Sequence, residues 1–290
     1  MHRGVTSVDV RRVSVVHDAA AVSRLFDRDP VGSCMVAEEI ADHGIGTNAV
    51  GAELWTCAAA DESLCYAGVN LIPLRGDAGD LHAFADKALS ESRRYTWLIG
   101  GAELVMPMWQ RLAPVWGPAR YIRSDQPLLA IAGLPRCAID PAVRQVRPDE
   151  LDAYLTATAT EIIAEFGVDP RLGERGSKFR GRLANLIAVG RAWARFERGE
   201  VVFKAELGVQ SSSVGLIQGV WVHPERRGQG LCVPGTATVV SAIVATGRIA
   251  CGYVNHSNVA ARAAYARVGF RQVGSIASVL LGEPDHVVDR

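Results

Sequence analysis

The segment Val220-Trp221-Val222-His223-Pro224-Glu225-Arg226-Arg227-Gly228-Gln229-Gly230-Leu231-Cys232 decides how this chain is read. An apolar run reads as a strand that ends at Val222, turns at Pro224 and passes two glycines into an Ala/Val-rich helix. The first amides of a helix have no internal partners, and the helix dipole adds positive potential there. Such an entrance is a site for an anion. Glycines at 228 and 230 let the backbone approach a diphosphate without a Cβ clash, and Arg226 or Arg227 can add a charge-assisted contact. Pro234 falls in the first helical turn, where its missing N–H costs little. Taken by itself, the segment also fits an ordinary tight turn.

A second segment, Tyr253-Val254-Asn255-His256-Ser257-Asn258 through Gly269-Phe270, follows about thirty residues later. Asn258 is placed to cap a helix and Gly269 to stop it. Tyr265 lies two turns after Asn258, on the same side. Each residue has a plainer reading, Asn258 as a cap alone and Tyr265 as a core aromatic.

In this order the two segments resemble the GCN5-related N-acetyltransferases, the GNAT superfamily. Arg227-Gly228-Gln229-Gly230-Leu231-Cys232 resembles the family's R/Q-x-x-G-x-G/A motif, with Cys232 standing where Gly or Ala is usual. Asn255, Asn258, Tyr265 and Gly269-Phe270 resemble its N-x-x-N…Y…G-F pattern. The likeness is strongest over residues 192–281 and extends to Val143. It implies an acyl-CoA co-substrate, acetyl-CoA first. By the resemblance, pantetheine runs along the backbone of Val220, Trp221 and Val222. The pyrophosphate is held by Arg227 and the amides of Gly228, Gln229, Gly230, Leu231, Cys232 and Val233. Asn258 contacts the cofactor and Tyr265 stands beside its sulfur. No metal is implied.

Read outward from these motifs, the C-terminal half has the order β-α-α-β-β-β-α-β-α-β. Its strands are expected at 143–147, 192–197, 201–207, 214–222, 249–254 and 272–281. Helices are expected from Pro148 to Phe166, from Ser177 to Val189, up to Ala245, and from Val259 to Val268. Arg198-Gly199-Glu200 reads as a hairpin turn. The N-terminal half shows strands at 53–59, 65–74, 95–99 and 121–131, with helices at 80–89 and 102–112. It is either a second copy of the same plan or an accessory module. The Gly133–Pro141 connector, with two prolines and a glycine, marks the expected boundary. The expectation is therefore an α/β (α+β) GNAT fold in tandem: a degenerate domain over 1–137 and an acyl-CoA-binding domain over 138–290. This layout is similar to actinobacterial tandem proteins with a degenerate N-terminal GNAT-like region.

Composition narrows the function classes. Of 290 residues, 49% are apolar and 21% charged, enough to bury a core. Lys plus Arg number 31 and so do Asp plus Glu, so no electrostatic footprint for nucleic acid is expected. The opening residues carry no apolar leader. The apolar stretch near 236–246 falls short of the ~18 residues that span a bilayer. The expectation is a cytoplasmic protein with no membrane partner. A homodimer is open. The six cysteines form no C-x-x-C pair and read as core thiols.

The chemistry implied by the resemblance is acyl transfer from a thioester to an amine acceptor. An alkyl ammonium with pKa of about 10 must lose a proton first. A backbone N–H near Val220–Val222 can serve the developing oxyanion, and Tyr265 can protonate the leaving sulfur. Glu206 is the expected base, with Lys204 on the same strand face. A surface Lys204–Glu206 pair is the alternative, and Glu161 and Glu165 on the first helix face either the cleft or solvent. His223 is expected to face solvent. Trp55, Tyr66, Trp97, Trp109 and Trp116 form either the acceptor site or core. A non-catalytic acyl-CoA sensor is the rival of the enzyme.

Overall fold

The structure is a computed structural model that describes residues 11–17, 19–45, 51–173 and 175–282. The chain forms two compact units. One takes the residues up to Gln126 together with those from Gly274 onward, and the other is Pro127–Val273.

The first unit contains β1 (Ser14–Val15), α1 (Ala19–Arg28), α2 (Cys34–His43), β2 (Glu53–Thr56), β3 (Leu64–Ala67) and β4 (Asn70–Arg75). It continues with α3 (Ala78–Ser90), β5 (Trp97–Gly101), α4 (Ala102–Trp116) and the start of β6 (Tyr121–Ile131). The second holds the end of β6, β7 (Arg144–Gln145), α5 (Leu151–Phe166), α6 (Arg175–Ala188), β8 (Ala192–Glu197), β9 (Glu200–Gln210) and β10 (Val214–Val222). Then come α7 (Cys232–Ala245), β11 (Ile249–Tyr253), α8 (Val259–Val268) and the start of β12 (Arg271–Leu280), whose remainder belongs to the first unit.

Both units share one strand pattern. In the first, β1 to β4 pair antiparallel in sequence, β4 and β5 are parallel, and Ile276–Leu280 of β12 closes antiparallel on β5. In the second, β7 to β10 pair antiparallel, β10 and β11 are parallel, and Leu128–Ile131 of β6 closes antiparallel on β11. The duplicated plan is therefore present, but each closing strand comes from the other half of the sequence. The Gly133–Pro141 connector expected as a boundary lies inside the second unit.

Several elements differ from the reading of the sequence. Residues 65–74 form two strands, because Gly68 and Val69 turn the chain and the Gly68 amide bonds the Asn70 carbonyl at 3.0 Å. Helices α1 and α2 have no counterpart in that reading, although Gly44, at φ 80° with its amide on the Ile40 carbonyl, stops α2. The 143–147 strand shortens to two residues, while β9 runs on to Gln210. The 198–199 turn is as expected: Arg198 and Gly199 both have positive φ, the geometry of a twisted hairpin. Of the five N-terminal aromatics, Trp55 and Trp109 lie in the apolar core of the first unit, with Trp116 packed against it. That core reading displaces the acceptor-site reading for these three.

Alternation along β9 sorts the second unit into two faces. Phe203, Ala205 and Leu207 pack with residues of α7 and α8. The intervening Lys204 and Glu206 reach α5 and α6, where Tyr154, Phe179, Leu183 and Trp221 form the other cluster. Gly235 allows α7 to sit close on the sheet, since a Cβ there would lie 2.8 Å from the Phe203 ring.

Candidate active site

The loop between β10 and α7 has the conformation its glycines permit. Gly228 (φ 75°) and Gly230 (φ 81°) both occupy the left-handed region, and neither has a heavy atom within 4 Å of where a Cβ would stand. Backbone geometry is thus what calls for glycine at both positions, since no protein atom crowds them. Among the described residues, no protein acceptor takes the amides of Gly228, Gln229, Gly230, Leu231, Cys232 or Val233. Intrahelical bonding starts with the Gly235 amide on the Leu231 carbonyl. Around them, Arg227 Nε holds the Val222 carbonyl at 3.3 Å and Gln229 Nε2 holds the Glu225 carbonyl at 3.0 Å. His223 caps the short helical turn at Pro224–Arg226 by accepting from the Glu225 amide. The half-buried Cys232 begins α7, and burial raises its thiol pKa.

β10 leaves its parallel neighbour just before this loop. The β10–β11 register ends at Leu216↔Cys251, yet β10 continues to Val222. A bulge accompanies the parting: Gln218 faces Glu206 and Trp221 faces Lys204, so β10 carries one extra residue at Gly219–Val220. Gly219 has φ 58°. Val220 and Val222 pack toward the α7 face, while Trp221 packs among α5 and α6 residues. The buried indole N–H of Trp221 has no hydrogen-bond partner among the described residues.

Tyr265 reaches the split from α8. A methyl placed on Gly252 would lie 3.0 Å from the Ile217 carbonyl and 3.9 Å from the Tyr265 hydroxyl, so the phenol tip stands where β10 and β11 part. Its ring packs edge-on against Phe270 at 5.0 Å. Burial pushes the phenol well above its usual pKa, with Cys232 and Glu161 adding to the push. At neutral pH the hydroxyl holds its proton. Asn258 caps α8 through the Ala261 amide at 3.0 Å and is exposed.

On the opposite face lies a buried ionic cluster. Lys204, fully buried, extends its ammonium to Glu161 Oε2 at 2.6 Å, the Gly219 carbonyl at 3.0 Å and Glu206 Oε1 at 3.4 Å. Arg182 meets Glu206 Oε2 at 3.2 Å and the Tyr154 hydroxyl donates to Glu206 Oε1 at 3.5 Å. The surface Lys204–Glu206 pair is thereby corrected, because both side chains lie inside. Burial works to raise the Glu206 carboxyl pKa, but Lys204 and Arg182 outweigh it and the net shift is downward. Burial dominates at Glu161, which is raised despite Lys204. A Cβ on Gly219 would stand 3.0 Å from Lys204 Nζ and 3.5 Å from both Glu161 Oε2 and the Glu206 carboxyl carbon, so the cluster abuts the bulge. Lys204 and Glu161 were visible in the sequence only as charges; nothing local said that they meet.

The first unit treats its corresponding helix entrance differently. Between β4 and α3, Asp77 accepts from the amides of Gly79 and Asp80, Asp80 accepts from the Asp77 amide, and Arg11 bridges both carboxylates. The chain's own carboxylates occupy the anion position there.

Comparisons with known proteins agree with this architecture. Residues 202–277 match the family model described as FR47-like protein. Residues 52–154 match a domain described as of unknown function, DUF4081. Among solved structures, an acetyltransferase of the GNAT family from Colwellia psychrerythraea superposes with TM-score 0.54 at 13% identity, covering 93% of this chain and 100% of its own. A Drosophila protein superposes with TM-score 0.61 at 13% identity, covering 93% and 98%. No curated protein matches the chain. The chain thus has the fold of the GNAT-family acetyltransferase structure, with its strand plan present in both units. Its second copy bears the FR47-like pattern across β10, the glycine loop, α7, β11 and α8. Among the described residues, no helix is long and apolar enough to cross a membrane.

Proposed function

We propose that the chain is an acyl-CoA-dependent N-acyltransferase whose second unit transfers an acetyl group to a primary amine of a small molecule or peptide. The observation that carries this reading is the run of amides from Gly228 to Val233, unpartnered within the protein, at the start of α7 and next to the β10–β11 split. An acyl-CoA fits that combination. The amides and the remaining Arg227 N–H groups suit its diphosphate. The parted edge of β10 suits an extended amide-bearing arm, which bonds backbone as a strand would. The acyl-CoA supplies the activated acyl group, and the protein supplies position and proton control.

Tyr265, kept protonated by burial, donates to the departing sulfur. The Gly219–Val220 bulge turns backbone toward the reacting carbonyl, where an N–H can stabilise developing charge. Two carboxylates, Glu161 and Glu206, lie against that bulge from the other face. The acceptor amine enters from their side, and its ammonium proton passes to one of them. The first unit, with its helix entrance filled by Asp77 and Asp80, has no part in acyl-CoA binding.

The test is incubation with acetyl-CoA and a panel of primary amines, reading free thiol, alongside titration calorimetry with acetyl-CoA alone. Thiol release that depends on an amine supports the enzyme. Binding with no release on any amine identifies a sensor, and absence of binding removes both readings.

A further inference from the structure

We propose that Glu161, on α5, is the group that accepts the proton of the incoming amine, and that Lys204 is the residue that positions it. The assignment rests on the acyltransferase reading above. A base needs a free lone pair that the substrate can reach. Glu206 offers none. Its Oε1 takes the Tyr154 hydroxyl and Lys204, its Oε2 takes Arg182, and its side chain is 3% exposed. Glu161 is bound through one oxygen only, Oε2, and its side chain is 16% exposed. Among the described residues no protein donor takes Oε1, which leaves it open to a substrate proton.

The placement is set from three elements. Lys204 projects from β9 and is itself fixed by the Gly219 carbonyl of β10, so the ammonium ties α5 to the bulge. Gly219 makes room for this tie: a side chain there would press on Lys204 Nζ, and φ 58° disfavours any other residue. The charged and titratable groups near Glu161 are Lys204 and Glu206 from β9, Tyr154 and Glu165 from α5, and Tyr265 from α8, while Arg182 from α6 joins the cluster through Glu206. Lys204 and the more exposed Arg182 offset Glu161 and Glu206 in formal charge, so neither carboxylate stands in the cluster without a cation. Burial also raises Glu161 while the two cations hold Glu206 down, which makes Glu161 the stronger base of the two.

The protons balance. Glu161 Oε1 takes one proton from the ammonium, and the freed nitrogen lone pair forms the C–N bond as the C–S bond breaks. Tyr265 gives its proton to sulfur and recovers one from the acylated nitrogen. Glu161 then returns its proton to water.

The experiment uses the full chain with acetyl-CoA and the best primary amine from the panel, and hydroxylamine as a second acceptor. Hydroxylamine is largely neutral at neutral pH and needs little base. Glu161→Gln keeps size and hydrogen bonding. Its turnover on the alkyl amine should fall by about 10² to 10⁴, the range of general acid–base catalysis. The loss on hydroxylamine should be much smaller, the acidic limb of the pH–rate profile should disappear, and acetyl-CoA affinity should stay within about twofold. Glu161→Asp should recover part of the rate, and it keeps the test open should Glu161→Gln fold poorly. Wild-type turnover in Glu161→Gln, or equal losses on both acceptors, overturns the assignment. So does a Glu206→Gln variant that loses the acidic limb while Glu161→Gln retains it. A wild-type chain that turns over no amine removes the acyltransferase reading itself, and this assignment with it. An active wild type with an unaffected Glu161→Gln removes only the assignment.

Discussion

Replacing Gly228 or Gly230 by alanine tests the loop's backbone shape without disturbing any contact within the protein. Both residues sit at positive φ, 75° and 81°, and an added methyl meets no heavy atom within 4 Å. The substitution therefore brings no steric clash within the protein. What it brings is the cost of holding an L-residue in the left-handed region, about 1–2 kcal/mol. Because the surroundings are open, the substituted loop can relax in the free protein, and the strain is then borne on binding, when the amides must face the diphosphate again. A 1–2 kcal/mol penalty weakens affinity by roughly 5- to 30-fold, given tenfold per 1.4 kcal/mol. Titration calorimetry with acetyl-CoA measures it. Gly247 is the control, with φ 79° and the same open surroundings, in the turn after α7. Gly247→Ala should lower stability in urea by a similar energy and leave acetyl-CoA affinity unchanged. Unaltered affinity in both loop variants, or an equal affinity loss in Gly247→Ala, would refute the argument that these two backbone conformations present the binding amides.

Tyr265→Phe removes the hydroxyl at the β10–β11 split and keeps the packing on Phe270. Turnover should fall at least about tenfold, toward the 10²-fold typical of a lost general acid, with acetyl-CoA binding retained; an unchanged turnover number removes Tyr265 from the mechanism. Calorimetry should find one acetyl-CoA per chain, because Asp77 and Asp80 fill the helix entrance of the first unit; a stoichiometry of two contradicts this. Glu150 is held at about 2, chiefly by its paired hydrogen bonds from Arg144, against 4.5 unperturbed. A depressed carboxyl pKa adds stability that is full above the unfolded value and is lost as pH falls through the folded one. Glu150→Gln should therefore cost about 1–3 kcal/mol in urea at neutral pH and nothing below about pH 2; a cost independent of pH would show that the ion pair is not its source.

Much of the fold of the second unit was legible because its signals are local. The strand–glycine–helix passage at 220–232, the Asn258 cap, the Gly269 stop and the Arg198-Gly199 turn each depend on residues within a few positions of one another, and each is where the sequence placed it. The first unit was read less completely. Its hairpin at Gly68 reads in sequence as one strand, and α1 and α2 are absent from that reading even though Gly44 stops α2. The assigned site residues divide in the same way. Backbone donors at 228–233 follow from chain conformation, whereas the carboxylate beside the bulge does not.

Amino-acid order alone determined the succession of elements in the second unit and the glycine-shaped entrance to α7, since φ preferences, caps and apolar periodicity act over a turn or two of chain; it left the duplication open. Tertiary structure alone decided which strand closes each sheet, and that Lys204 is buried between Glu161 and Glu206. Glu206 meets partners 24 and 52 positions away in sequence. Pairing at that range is set by which faces are buried together and by the one-residue bulge at Gly219–Val220, and neither is encoded in any short stretch of residues.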